Sequence, residues 1–201
     1  EVFDCRDVKI YVCGITPYDT THLGHAFTYT FFDVLVRYLR YKGHGVNYVQ
    51  NITDIDDDIL KRAKEVELGW KELGEKWIKR YLEDMKNINN VRPNVLINAT
   101  DYISEMIKII SLLVEKNVAY ERAGSVYFPV DKFFDLGKLS RIPKERMLSV
   151  ANQRGNNPKD PNKRNPLDFV LWQTRKDDEP YWKSPWGRGR PGWHIECSAM
   201  A

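Results

Sequence analysis

A parallel, doubly wound α/β fold is the prediction of this 201-residue sequence, and three features carry it. A β-rich run, Val8 to Cys13, enters a loop of Gly, Pro and Thr residues; a long apolar-periodic helix begins near Leu23; a second β-rich run, Val46 to Ile52, follows a stop at Lys42-Gly43. Strand, loop, helix and strand form the repeating unit of a parallel sheet, because parallel neighbours need a crossover of about a dozen residues or more. Ligand sites in such sheets lie at the carboxyl ends of the strands.

Within the first helix Phe27, Phe31, Phe32, Val34, Leu35, Tyr38, Leu39 and Tyr41 recur at three- and four-residue spacing, which predicts a buried helix of about five turns. Gly43 supplies the stop signal. Beyond Asp54 the pattern predicts helices over 55–66, 70–88 and 100–116, the last with Tyr102, Ile103, Met106, Ile109, Ile110, Leu113 and Val114 on one side. Residues 124–130 read as a strand. Residues 152–166 are polar, rich in Pro and almost free of apolar side chains, the composition of an exposed insertion loop. Leu167 to Trp172 restores a buried strand, and 184–192 reads as a Gly/Pro/Arg loop leading into Trp193-His194-Ile195-Glu196-Cys197. There is no internal repeat.

A hydrophobic content of 42% is enough for a sizeable core, and no apolar run approaches the roughly 20 residues that span a bilayer. With no basic-then-apolar start, the expected location is the cytoplasm. A net charge of +3, with basic residues interspersed among acidic ones, permits nucleic-acid binding without requiring it. Cys5, Cys13 and Cys197 are odd in number and far apart, which argues against a disulfide framework and leaves thiol or metal chemistry open. The first residue is not Met and the last falls within an apparent motif, so the expectation is a piece of a longer protein.

Four groups of residues have chemical potential. His22-Leu23-Gly24-His25 stands where a loop meets a helix start; unpaired N–H groups, the positive dipole end and two imidazoles suit a polyphosphate, and Gly24 allows close approach. The same residues would also serve as a packed or capping pair. Cys13 ends the first strand and Cys197 begins a helix; both could hold zinc as thiolates, or each could be a small buried hydrophobe. Asn51-Ile52-Thr53-Asp54-Ile55-Asp56-Asp57-Asp58 carries four acids that read more readily as a cap and acidic first turn than as a metal site, while Thr53 faces the crevice at a strand end. Arg188, Arg190, Trp193 and His194 could stack a base or contact phosphate, or form a solvated loop around a core Trp.

Four blocks, Tyr-Val-Cys-Gly-Ile-Thr-Pro-Tyr-Asp, His-Leu-Gly-His, Tyr-Val-Gln-Asn-Ile-Thr-Asp-Ile-Asp-Asp and Gly-Arg-Pro-Gly-Trp-His-Ile-Glu-Cys-Ser-Ala-Met, together resemble the cysteinyl-tRNA synthetase family of class I across the whole chain. The resemblance implies a Rossmann-type class I synthetase catalytic domain with a parallel sheet and an inserted connective α+β region, truncated before the second signature loop: 1–98 as the first half of the nucleotide-binding domain, 99–166 as the insertion, 167–201 as the start of the second half. It implies ATP-dependent activation of L-cysteine to the adenylate. His22, Gly24 and His25 would contact ATP, the two histidines as catalytic groups; Gly14, Thr16, Thr28, Asn51, Thr53 and Trp193 would line the cysteine and adenylate pocket; Cys13 and Cys197 would be two ligands of a Zn2+ that grips the substrate thiolate; and Mg2+ would accompany ATP. The family's remaining His and Glu ligands and its Lys-Met-Ser-Lys-Ser loop have no counterpart before Ala201.

The implied acceptor is tRNA(Cys). Ile15 and Pro17, where the family usually has Pro and Val, and Gln153-Arg-Gly-Asn-Asn-Pro158 also resemble the related mycothiol-pathway ligase that joins cysteine to glucosaminyl-inositol. The ubiquity of tRNA charging and the Lys- and Asn-rich composition favour tRNA. A truncated non-catalytic paralogue that binds cysteine or nucleotide is the third reading. A monomer is favoured, with no membrane partner.

Overall fold

The computed structural model describes residues 6–176 and 178–201, so Cys5 lies outside the described residues. The chain divides into two units, Glu1–Tyr102 with Met200–Ala201, and Ile103–Ala199.

The first unit contains β1 (Asp7–Val12), α1 (Leu23–Tyr41), β2 (Gly45–Ile52), α2 (Asp57–Glu65), α3 (Trp70–Asn87) and β3 (Val95–Asn98). Its sheet runs β1-β2-β3 with every pair parallel, Val12 opposite Gln50 and Ile52 opposite Asn98. The carboxyl ends of the three strands therefore lie along one edge, as the opening strand-loop-helix-strand pattern requires. One hydrophobic cluster, including Val12, Tyr29, Val36, Tyr48, Ile52, Tyr81 and Met85, joins β1 and β2 to α1 and α3.

α1 departs from the expected buried helix. Only Tyr29, Asp33 and Val36 are buried, whereas Leu23, Phe27, Phe31, Val34, Tyr38 and Tyr41 are exposed. Apolar residues occupy two faces of this helix, and the first unit's sheet covers one. The burial of Asp33 is matched by partners: Arg37 Nε donates at 2.8 Å and the Val91 N–H at 2.6 Å. The 100–116 helix begins as a 3-10 turn over Ala99–Tyr102 and becomes α4 at Ile103–Glu115. β3 has only four residues, too few for a legible alternation.

After α4 the second unit holds β4 (Tyr120–Arg122), β5 (Ser125–Phe128), α5 (Lys144–Asn152), β6 (Phe169–Thr174), β7 (Trp182–Ser184), β8 (Gly187–Pro191) and the start of α6 (Trp193–Met200). Its antiparallel sheet runs β4-β5-β6-β8-β7. β6 hydrogen-bonds to β5, so the segment from residue 167 joins the same sheet as the strands of the expected insertion.

Of the two expected loops, one forms strand and the other remains an exposed loop. Residues 184–192 form most of a β7–β8 hairpin that turns at Pro185-Trp186, with Gly187 (φ 106°) opening β8 opposite Ser184. Their glycines serve close packing: a Cβ on Gly189 would lie 2.3 Å from the Gln173 carbonyl oxygen, and one on Gly192 2.1 Å from the Val170 oxygen. Residues 152–166, expected as an exposed loop, begin at the end of α5 and are tied down by side chains. Asn156 Nδ2 donates to Asn152 Oδ1 and to the Pro166 carbonyl, Tyr127 OH donates to Asp160, and the Arg164 N–H donates to Tyr120 OH. The segment is exposed as its polar composition indicates, and that composition also supplies local and long-range hydrogen bonds in place of regular structure. No helix among the described residues is long and apolar enough to cross a membrane.

Candidate functional site

The loop after β1 is bound to the end of β2. Cys13 is exposed, and the next N–H, of Gly14, donates to Asn51 Oδ1 at 2.8 Å. Asn51 is fully buried at the end of β2, and its amide nitrogen donates to Thr53 Oγ1 at 3.3 Å. The Thr53 N–H completes the link by donating to the Ile15 carbonyl at 2.9 Å. A Cβ on Gly14 would fall 1.5 Å from the Asn51 carbonyl oxygen, so only glycine fits. Cys13, Gly14, Asn51 and Thr53 thus stand together at the carboxyl ends of adjacent parallel strands. Thr16, half-buried, sits in the same loop and its carbonyl accepts from the Tyr18 N–H at 3.0 Å.

His22 is the N-cap of α1, and the capping alternative proves to be its local structure. His22 Nδ1 accepts from the Gly24 N–H at 3.1 Å, and His25 Nδ1 accepts from the His22 N–H at 3.3 Å. The rings stack with centroids 3.9 Å apart. An accepting Nδ1 carries no hydrogen, so in both neutral rings the proton sits on Nε2. Capping therefore leaves each histidine a defined donor for a ligand. Desolvation, then the neighbouring His22, holds the pKa of His25 below the ordinary imidazole value, which favours this neutral form. Thr28, one turn on, is exposed and donates its hydroxyl to the Gly24 carbonyl at 3.0 Å.

The acidic run behaves as a cap. Asp56 is the N-cap of α2 and accepts from the Asp58 N–H at 3.0 Å, with Asp57 and Asp58 in the first turn. Asp54 accepts from the N–H and hydroxyl of Thr100 at 2.9 and 2.6 Å, although burial raises its pKa. Tyr29 is a neighbour that sequence reasoning missed: its hydroxyl donates to the Cys13 carbonyl at 3.4 Å and its ring centroid lies 6.5 Å from that of His25. Nothing in the spacing singled it out from the other aromatics of α1.

Trp193 and Cys197 belong to the second unit. Trp193, 48% exposed, ends a column of rings: Phe128 to Phe169 at 5.0 Å, Phe169 to His194 at 4.4 Å, His194 to Trp193 at 3.7 Å. Arg190 is buried in an ion pair with Glu179 at 3.4 Å, whereas Arg188 is exposed on β8, its guanidinium 4.9 Å from the Tyr181 ring centroid, so only Arg188 remains a solvated cation. Cys197 is half-buried. Among the described residues no group of three or more His, Cys, Asp or Glu side chains could hold a metal ion.

His194 keeps an exposed edge while its ring is enclosed by Phe169 and Trp193. Desolvation, then the Lys163 ammonium, lowers its pKa to about 4. The unfolded chain's imidazole protonates near ~6.5. The neutral ring thus adds stability that is complete above that value and is lost as pH falls through the window down to about 4. The thermal midpoint should fall between pH 7 and pH 5, and His194→Phe should flatten that slope; an unchanged slope in the variant would remove His194 from the account.

A family profile described as tRNA synthetases class I (C) catalytic domain matches residues 1–201. A cysteine–tRNA ligase of Thermodesulfovibrio yellowstonii is 48% identical over 200 residues, covering 98% of this chain and 40% of that protein. An L-cysteine:1D-myo-inositol 2-amino-2-deoxy-alpha-D-glucopyranoside ligase of Corynebacterium jeikeium is 46% identical over 199 residues, covering 97% and 48%. The chain spans less than half the length of these curated relatives. A methionyl-tRNA synthetase of Mycobacterium tuberculosis, solved in complex with methionyl-adenylate, has the same fold, with a TM-score of 0.61 at 13% identity over 95% of this chain and 45% of that one.

Proposed function

The chain belongs to the class I (C) tRNA synthetase catalytic domain family, and from that premise we propose that it is the part of a ligase that activates L-cysteine with ATP. The observation that carries the reading is the reciprocal His22–His25 cap: two Nε2–H donors and a helix N-terminus follow the loop that leaves β1 at the exposed Cys13, and Tyr29 links the two, its hydroxyl on the Cys13 carbonyl and its ring 6.5 Å from that of His25.

The reaction is in-line attack of the cysteine carboxylate on the α-phosphorus of magnesium-bound ATP, forming the adenylate and releasing pyrophosphate. His22 and His25 donate to phosphate oxygens as charge builds in the transition state, and the α1 N-terminus adds its dipole. Gly14, Thr16, Thr28, Asn51 and Thr53 of the first unit are proposed to contact cysteine and its adenylate; for Trp193, in the second unit, the same role rests on the family resemblance alone. The Gly14–Asn51–Thr53 hydrogen bonds fix the loop, so orientation is set before substrate arrives. Cys13 and Cys197 are proposed as two donors to a zinc ion that would select a thiolate over a hydroxyl. The two thiols belong to different units, and among the described residues no group of three or more His, Cys, Asp or Glu could hold a metal ion, so the zinc assignment rests on the family resemblance.

The acceptor is proposed to be tRNA(Cys). Residues 131–164 contain nine Lys and Arg against four Asp and Glu, while the other residues contain 22 against 24. A whole-chain charge of +3 conceals this segregation, which suits a polyanionic acceptor better than an amino-sugar that carries no negative charge. The 46% identity to the Corynebacterium ligase supports the amino-sugar as the second reading.

The test is cysteine-dependent ATP–pyrophosphate exchange, followed by supply of each acceptor. The gene product that carries this sequence should catalyse exchange with cysteine and not serine, and the 201-residue chain alone should be far slower. Robust exchange by that chain would refute its dependence on further segments. Formation of the amino-sugar amide alone would sink the tRNA reading.

A further inference from the structure

A second ligand site lies inside the first unit, on the opposite face of β2 from Asn51. Side chains alternate along a strand, so Tyr48 and Gln50 face away from the Gly14–Asn51 link. They line a cavity of about 380 Å³ completed by Tyr29 of α1, Tyr81, Leu82 and Met85 of α3 and the Val91–Pro93 segment. That volume falls in the range of small-molecule sites.

The lining is graded. At one level stand three phenols and an amide: Gln50 Nε2 donates to Tyr81 OH at 2.6 Å, Tyr29 OH donates to the Cys13 carbonyl, and Tyr48, 3% exposed, makes no side-chain hydrogen bond among the described residues. Burial pushes all three phenols above their ordinary pKa, Tyr48 to about 12, so this level is uncharged. The walls are apolar. Lys79, Lys86 and Arg92 also line the cavity, each exposed and without an ion pair among the described residues, against one acid, Glu83.

We propose that this cavity binds a small amphipathic anion: a flat apolar body with a hydrogen-bonding group at the phenol level and a carboxylate or similar anion at the cations. Leu82, Met85, Val91 and Pro93 would take the apolar body, the Tyr48 hydroxyl its polar end, and Lys79, Lys86 and Arg92 its charge.

6-Hydroxy-2-naphthoate has this layout and is the probe. Titrated into the 201-residue chain and followed by ligand-observed NMR and calorimetry, it should bind saturably at one site with a Kd on the order of 1 mM or tighter. 2-Naphthol, which lacks the carboxylate, should bind about tenfold more weakly. The exposed double substitution Lys79→Glu with Lys86→Glu should cost about tenfold or more, and Tyr48→Phe about threefold, with circular dichroism unchanged. Absence of saturable binding, or equal affinity in wild type and the charge-reversed variant, would overturn the site. Both readouts are independent of ATP–pyrophosphate exchange, so the site and the catalytic reading fail separately.

Discussion

Gly14→Ala is expected to destabilise the first unit by about 3 kcal/mol or more, read as a lower denaturant midpoint at unchanged slope. The new methyl would lie 1.5 Å from the Asn51 carbonyl oxygen and 2.7 Å from its carbon. Neither atom is the far end of a flexible side chain. To admit the methyl, β1 and β2 must part where they are hydrogen-bonded in register, and the Gly14 N–H must leave Asn51 Oδ1, itself fully buried. A buried amide oxygen stripped of its donor adds to the steric cost. Gly74→Ala is the matched control: it lies within α3, where a Cβ would meet only Pro17 Cγ at 3.9 Å, so alanine should stabilise by about 0.5–1 kcal/mol through helix propensity. Equal effects of the two substitutions would show that the close approach at Gly14 is not what that position requires.

This glycine also shows how far sequence could be read. The β1–α1–β2 unit was legible because its periods differ sharply and Gly43 punctuates the helix, and its loop drew attention to Cys13, Gly14 and the two histidines. The reciprocal cap was open to reading from His22 and His25 at i and i+3, yet the resulting tautomers follow only from the observed distances. Burial was the weaker inference. Apolar spacing on α1 suggested a buried helix because periodicity does not tell how many layers cover it. The second unit was harder still. Its strands are three to six residues long, β8 reads Gly-Arg-Gly-Arg-Pro, and 156–166 is held partly by bonds to residues 30 to 45 positions away. Such long-range bonds leave no period in the chain.

Asp168 is where those bonds converge, and Asp168→Ala is expected to cost about 4 kcal/mol, from three charge-assisted hydrogen bonds whose donors would lose their acceptor. The carboxylate is fully buried just before β6. One oxygen accepts from Tyr120 OH at 2.7 Å and the Asn165 N–H at 3.1 Å, the other from the Val130 N–H at 3.0 Å. It therefore joins β4, the turn after β5 and the polar segment preceding β6. Tyr120 carries the connection onward, accepting from the Arg164 N–H at 2.9 Å beneath a guanidinium centred 4.0 Å from its ring. Alanine would leave two backbone N–H groups in a site that water reaches poorly, whereas Tyr120→Phe removes one of the three donors to Asp168 and the acceptor of the Arg164 N–H and should cost about 2 kcal/mol, roughly half as much. Amide exchange gives the residue-level check. In Asp168→Ala, Val130 and Asn165 should lose protection together with 156–166, while the amides of β1 and β2 keep theirs; loss of less than about 1 kcal/mol, or protection lost evenly across both units, would show that Asp168 does not hold this segment in place.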